Sequence, residues 1–148
     1  MEVKNAPYGW LIKRIANQME QNMNQFLKPY NTTSMQSWVL LYLGDLDRCL
    51  TFKELEKQFE VSQPTMVGIL SRLEQKQLVV ISTDEHDKRI KKVRLSSSGA
   101  NLIAGLRQHL KVSEEDIIAH FTREEQKIFH AHLEKAYQNI VEKDGERK

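Results

Sequence analysis

Apolar residues recur at helical spacing over most of the chain, and they predict a mostly helical protein. Between Trp10 and Leu27 they form one stripe, which is typical of an amphipathic helix. Residues 35–46, MQSWVLLYLGDL, are apolar on almost every side, so this second helix is expected to lie in the core. Two long helical patterns, over residues 97–121 and 122–143, follow in the last third of the chain.

Two shorter helices are predicted in between from their start signals. Thr51 is followed three residues later by Glu54, a spacing in which each side chain satisfies the other residue's free backbone N–H. Ser62 is placed to cap a fourth helix, and Pro64 lies in its first turn, where a missing N–H costs little. Only a short turn near residue 60 separates the two helices, which indicates a helix-turn-helix.

A helical wheel divides the fourth helix into two faces. At about 100° per residue the apolar side chains fall on one side, which is expected to be buried: Met66, Val67, Ile69, Leu70 and Leu73. The opposite side is polar, short in side chain and nearly free of acids, with Pro64, Thr65, Gly68, Ser71, Arg72 and Gln75. Such a face suits a helix that lies in the major groove of DNA and contacts base edges and phosphates.

A charged hairpin is predicted directly after this helix. The β-branched runs LVVIST and IKKVRLS are separated by DEHDKR, which indicates two strands joined by a longer loop. A helix-turn-helix followed by a basic hairpin is the winged form of the motif. Lys88, Arg89 and Lys91, at or near the tip, are expected to meet phosphates or the adjacent minor groove. Asp87 is expected to orient the Arg89 guanidinium by a charge-assisted hydrogen bond.

Residues 50–99 resemble the winged-helix core of the MarR (multiple antibiotic resistance regulator) family of bacterial transcription factors. The resemblance rests on Leu50-Thr51 with Leu55, VSQPT, RLEQKQLV, Asp87-x-Arg89, and Leu95-Ser96 followed by Gly99. It implies a mainly α fold with a small β-hairpin wing. The winged helix-turn-helix lobe would occupy residues 33–96, and residues 1–32 plus 97–148 would supply the N- and C-terminal dimerisation helices.

The wheel, the hairpin and the resemblance together nominate the residues that contact DNA: Ser62, Gln63, Pro64, Thr65, Gly68, Ser71, Arg72, Gln75, His86, Asp87, Lys88, Arg89 and Lys91. The sequence departs from the family pattern at several of its positions. Gly68 stands where a basic or hydroxyl residue is common, and Gln77 stands where the family has glycine. His86 replaces a frequent cation, which either makes wing affinity depend on pH or has little consequence.

The apolar stripes of the first and last helices predict a second copy of the chain. They are too long to be covered by the winged-helix lobe alone, so their natural burial is in a homodimer. A two-fold dimer would bind two half-sites of a near-palindromic operator in double-stranded DNA.

A small-molecule effector is implied by the resemblance, since family members typically lose DNA affinity when an aromatic or phenolic molecule binds between the two lobes. That behaviour implies a repressor. The candidate cavity residues are Trp10, Met19, Trp38 and Tyr42. Aromatic residues and methionine at helical spacing also serve as ordinary core, so that alternative stays open.

Composition changes this picture little. The 148 residues are 40% apolar and 28% charged, which fits one folded domain, and a net charge of +2 alone does not predict a polyanion partner. No run approaches the ~20 apolar residues of a membrane span or resembles a signal peptide, so a cytoplasmic protein is expected. Cys49 is the only cysteine and the histidines are scattered, so no disulfide and no metal site are expected.

Other classes of function find less support in the sequence. It has no glycine-rich phosphate loop, no nucleophile elbow and no paired carboxylate and histidine at a motif spacing, so neither an enzyme nor a cofactor is predicted. A winged-helix protein-interaction module without sequence-specific DNA binding remains the alternative. The low-acid face of the fourth helix and the cationic wing favour DNA.

Overall fold

The computed structural model describes residues 2–142, which form two compact units divided after Leu110. The α-helices are α1 Tyr8–Leu27, α2 Ser34–Leu46, α3 Phe52–Phe59, α4 Gln63–Gln75, α5 Ser97–Ile117 and α6 Arg123–Tyr137. The strands are β1 Leu50–Thr51, β2 Val79–Thr83 and β3 Lys91–Leu95. This element order confirms the predicted mainly α fold with a winged helix-turn-helix.

Hydroxyl side chains cap α3 and α4 where the sequence signals indicated. At the start of α3, the Thr51 hydroxyl accepts the Glu54 N–H at 3.1 Å, and the Glu54 carboxylate accepts the Thr51 N–H at 2.8 Å. At the start of α4, the Ser62 hydroxyl accepts the Thr65 N–H at 3.3 Å. Each cap satisfies backbone donors that a helix terminus leaves free, and each contributes about 1 kcal/mol.

The core of the first unit surrounds α2. Val39 and Leu40 of that helix are fully buried, and they pack in one apolar cluster with Leu55 of α3 and Leu70 of α4. Trp38, which belongs to the run predicted to be central to the core, is instead 46% exposed. Neighbouring elements do not cover α2 on all sides, and Trp38 lines two open surface grooves.

The sheet has one strand more than the sequence predicted. Strands β2 and β3 form the expected antiparallel hairpin, with Ile81 paired to Val93. The additional strand β1 pairs on the other side of β3, with Leu50 opposite Val93, so the order is β1-β3-β2. Two residues are too few to show the alternation that marks a strand in sequence. The added strand ties the wing to the residue that caps α3.

A Schellman motif ends α4. The Leu78 N–H donates to the Leu73 carbonyl at 3.0 Å, and the Gln77 N–H donates to the Glu74 carbonyl at 2.9 Å. Gln77 takes the left-handed conformation of this motif, with φ of 59°. Glycine normally occupies that position, because a side chain there is strained. Gln77, noted above as a departure from the resemblance, therefore has a locally strained backbone.

Replacing Gln77 by glycine is expected to raise the free energy of unfolding by about 0.5–1 kcal/mol, because the relief of left-handed strain exceeds the added chain entropy. Urea unfolding measures the change. Gln75→Gly is the matched control, since Gln75 lies within α4 and glycine there should destabilise by up to about 1 kcal/mol. A loss of stability in both variants would contradict the assignment of strain to Gln77.

The second unit comprises the end of α5, helix α6 and a π-helical turn at Gln138–Glu142. Helix α5 ends at Ile117, earlier than the predicted residue 121. Phe121 packs edge-to-face on Phe129, with ring centroids 5.4 Å apart. Large apolar side chains are exposed along this unit: Val112, Ile128, Leu133, Tyr137, Ile140 and Val141. Met1 and residues 143–148, which the predicted dimerisation lobe includes, lie outside the described residues.

No helix within residues 2–142 combines the length and the apolar character needed to cross a bilayer.

Candidate nucleic-acid interface

The outer face of α4 is open to solvent along its whole length. The predicted contact residues on this helix are exposed, apart from the half-buried Gly68: Ser62, Gln63, Pro64, Thr65, Ser71, Arg72 and Gln75. On the opposite side Met66, Leu70 and Leu73 are fully buried. The core therefore fixes the rotation of the helix and presents its short polar side chains outwards.

Val67 corrects the helical wheel. It was expected on the buried side, but its side chain is 41% exposed. It lies at the edge of the apolar arc, and the core closes over Met66 and Ile69 without reaching it. The outer face of α4 thus carries one apolar side chain that the pattern did not predict.

The Arg72 guanidinium lies back over Gly68. One of its terminal nitrogens is 4.0 Å from the point where a Cβ of residue 68 would stand, and that point meets no other atom within this distance. Gly68 therefore leaves room over the middle of α4, and Arg72 brings a cation to it.

Lys76, which sequence reasoning missed, anchors the C-terminal end of α4. Its ammonium donates to the Gln36 side-chain oxygen at 2.9 Å and to the backbone carbonyl of Asn31. Gln36 is buried and also accepts the Thr33 N–H at the start of α2. Burial, and to a lesser extent the Arg72 charge, lower the pKa of the Lys76 ammonium. These bonds hold the recognition helix against the start of α2.

The wing carries Lys88 and Arg89 on the loop between β2 and β3, and Lys91 is the first residue of β3. Asp87 and Arg89 form a two-point pair: the guanidinium donates to the two carboxylate oxygens, at 3.0 Å each. This confirms the predicted orienting role of Asp87. The Arg89 side chain is nevertheless 91% exposed, so its remaining donors are available to a partner.

Hydrogen bonds between Asp87 and Arg89 favour the charged form of both side chains. The hydrogen bond from the Arg89 side chain, with a further one from the Arg89 backbone, lowers the pKa of the Asp87 carboxyl. The same pairing raises the pKa of the Arg89 guanidinium. The pair is therefore present at neutral pH and weakens only as the pH falls through the lowered carboxyl pKa.

The other predicted wing residues, His86, Lys88 and Lys91, are exposed. Asp84 is paired with Lys92 at 3.1 Å. In the part of the chain that the structure describes, neither Lys88 nor Lys91 forms an ion pair. The wing thus offers free cationic charge beside the oriented Arg89.

A groove of about 460 Å³ separates the recognition helix from the wing. Gln63 and Val67 of α4 line one side, and Arg89 and Lys91 line the other. The groove brings together residues from both parts of the predicted interface, which the sequence places more than twenty residues apart. One continuous surface can therefore contact a groove of DNA and its flanking phosphates.

A second cavity, of about 410 Å³, lies among α2, α3 and α5. Trp38 and Tyr42, two of the four predicted effector residues, line it, and Tyr42 packs edge-to-face on Phe59 of α3. Arg107 and Asp45, paired at 2.8 Å, also line it. The other two predicted residues, Trp10 and Met19, are half-buried on α1 and are not among its lining residues.

Among residues 2–142, no three His, Cys, Asp or Glu side chains lie close enough together to hold a metal ion.

Comparisons with known proteins agree with this arrangement. A model described as the MarR family matches residues 30–90. The chain is similar to Staphylococcus aureus MepR in its DNA complex, with 27% identity over 92% of this chain and 100% of that chain, and a TM-score of 0.78. It is similar to apo wild-type MarR from Escherichia coli, with 26% identity over 92% and 98% of the two chains and a TM-score of 0.72.

Proposed function

We propose that the chain is a winged-helix transcriptional regulator of the MarR family that binds a near-palindromic operator in double-stranded DNA as a homodimer. The observation that carries the proposal is the continuous exposed surface formed by the outer face of α4 and the cationic wing. In this proposal α4 lies in the major groove and reads base edges, while Arg89, Lys88 and Lys91 contact phosphates.

The homodimer is supported by the apolar side chains that the described residues leave exposed. Tyr8, Ile12 and Ile15 of α1 are about half exposed or more, as are Tyr137 and Ile140 in the second unit. A two-fold dimer that buries these apolar side chains would match the symmetry of a two-fold operator. A regulator of bacterial transcription acts on DNA in the cytoplasm, so we also propose that location.

The cavity lined by Trp38 and Tyr42 supports a small aromatic effector. Its walls are mostly apolar and aromatic, with Gln58 and the Arg107–Asp45 pair as the polar groups, which is the usual make-up of a small-molecule site. Phe59 belongs to α3, the helix that precedes the recognition helix, so a ligand here would bias the position of the DNA-reading elements. We therefore propose a repressor that an effector releases from its operator.

The test is a selection of duplexes with random cores by the purified protein, followed by fluorescence anisotropy at two salt concentrations. Enrichment of a two-fold symmetric site, with affinity that falls steeply with salt, is the expected result. Light scattering on the same sample should give a dimer. Absence of binding at low salt would contradict the proposal and favour a protein-interaction module. The selected duplex then serves to screen small aromatic compounds for release.

Arg72 is expected to read a base pair, because its guanidinium lies on the outer face of α4 over Gly68. Arg72→Ala should weaken binding and relax discrimination at one position of each half-site by about 1–3 kcal/mol. Anisotropy against the selected duplex and its single-base variants measures both effects. Arg72→Lys keeps the charge but loses two-point hydrogen bonding, so it should restore affinity more than discrimination. Full affinity and full discrimination in the alanine variant would show that Arg72 does not contact the operator.

A further inference from the structure

Val67 is the apolar exception on the outer face of α4. An isolated exposed valine is ordinary on a protein surface. Val67 differs from that case because of the side chains beside it. It lies four residues after Gln63 and four before Ser71, so the three side chains share one row along the helix. Gln63 and Ser71 are both exposed. The row therefore presents a methyl-bearing side chain between two hydrogen-bonding ones.

The groove beside Val67 indicates what kind of partner meets it. Three cations and one acid line this groove beside the apolar side chains of Val67, Phe52 and Ile90: Lys53, Arg89, Lys91 and Glu56. A partner that fits is anionic at its edges and has an apolar group where it faces Val67. Duplex DNA meets both conditions, since its phosphates flank the major groove and the C5-methyl group of thymine is the apolar feature of the base edges there.

We propose that Val67 reads a thymine in each operator half-site by packing against its C5-methyl group. The inference rests on the proposed function and deepens it by naming one base that the helix selects. Arg72 lies on the other flank of the outer face and would read by hydrogen bonds, whereas Val67 would read by apolar contact.

The experiment removes the proposed methyl contact first from the DNA and then from the protein. In the duplex selected by the wild-type protein, each thymine is replaced by deoxyuridine, which lacks only the C5-methyl group. We expect one position per half-site at which deoxyuridine lowers wild-type affinity about fourfold, the value of burying one methyl-sized group. The variant Val67→Ser, whose side chain has no methyl group, should bind the thymine and deoxyuridine duplexes equally well.

Val80→Ser is the matched control. Val80 is a similarly exposed valine, at 38%, but it lines a different groove with Glu74 and Ser98. This variant should keep the fourfold preference for thymine. Thermal unfolding of both variants checks that the exposed substitutions leave the fold intact.

Two results would overturn the inference while leaving the proposed function in place: a wild-type protein indifferent to deoxyuridine at every position, or a Val67→Ser variant that keeps the wild-type preference. Failure of the wild-type protein to select any duplex is a different result. It would overturn the proposed function, and the inference with it.

Discussion

Replacing Gly99 by alanine should lower the free energy of unfolding by about 3 kcal/mol, the upper range for overpacking a buried site. Gly99 is buried in the first turn of α5, and an added Cβ would overlap the carbonyl oxygen of Leu78. That carbonyl is fixed because it accepts the Ser96 N–H at 3.1 Å. Since backbone cannot rotate away as a side chain can, the start of α5 must shift. Urea unfolding measures the loss.

Gly105→Ala is the matched control in the same helix. Its Cβ would meet only the Phe26 ring, at 3.7 Å, which is an ordinary contact. Alanine within a helix is favoured over glycine by up to about 1 kcal/mol, so this variant should be slightly more stable than the wild type. Equal losses in the two variants would mean that α5 tolerates no added methyl group, and the specific role of Gly99 would be wrong.

The same contact connects the recognition helix to α5. The Ser96 hydroxyl donates to the Gln77 carbonyl at 2.6 Å and accepts the Gly99 N–H at 3.0 Å. Gln77 and Leu78 directly follow α4, so a shift at the start of α5 changes the support of the DNA-reading helix. We therefore expect Gly99→Ala also to weaken operator binding, which distinguishes it from a destabilising change remote from α4.

The elements that the sequence predicted well are those with local signals. The caps at Thr51 and Ser62 depend on side chains within three residues of the bond they make, and the amphipathic stripes depend on a repeat within one helix. Strand β1 has no such signal, because two residues show no alternation. Its pairing with β3 joins Leu50 to Val93, and only the folded chain brings those residues together.

The candidate site, like the fold, was predictable only where the signal lies within a few residues of the chain. A wheel orders the residues of α4 around its axis but does not say how far the core extends, so Val67 at the edge of the arc was assigned to the wrong side. Lys76 could not be found, because its partners Asn31 and Gln36 are 45 and 40 residues away in the chain. Trp38 and Tyr42 could not be distinguished from Trp10 and Met19 for a related reason: the sequence does not say which helices enclose a cavity.

Replacing Arg89 by alanine should weaken binding to every duplex, selected or not, by about 1.5–3 kcal/mol, the usual contribution of a hydrogen bond to a charged group. The physical reason is its position: Asp87 holds the guanidinium at the wing tip, and the side chain remains 91% exposed to a partner. Loss of one phosphate contact should also reduce the slope of log affinity against log salt by about one unit. Anisotropy titrations over a salt series measure both quantities.

Arg94→Ala separates the wing tip from the overall charge. Arg94 is an exposed arginine of β3 whose guanidinium donates to the Leu95 carbonyl at 3.3 Å, so its removal changes the charge of the protein by the same amount away from the tip. Arg89→Lys tests orientation, since lysine keeps the charge but cannot form the two-point pair with Asp87. A larger loss for Arg89→Ala than for Arg94→Ala, partly recovered in Arg89→Lys, is the expected order. Equal losses in the two alanine variants would mean that the wing acts through its summed charge, and the Asp87–Arg89 pair would then have no specific part in DNA binding.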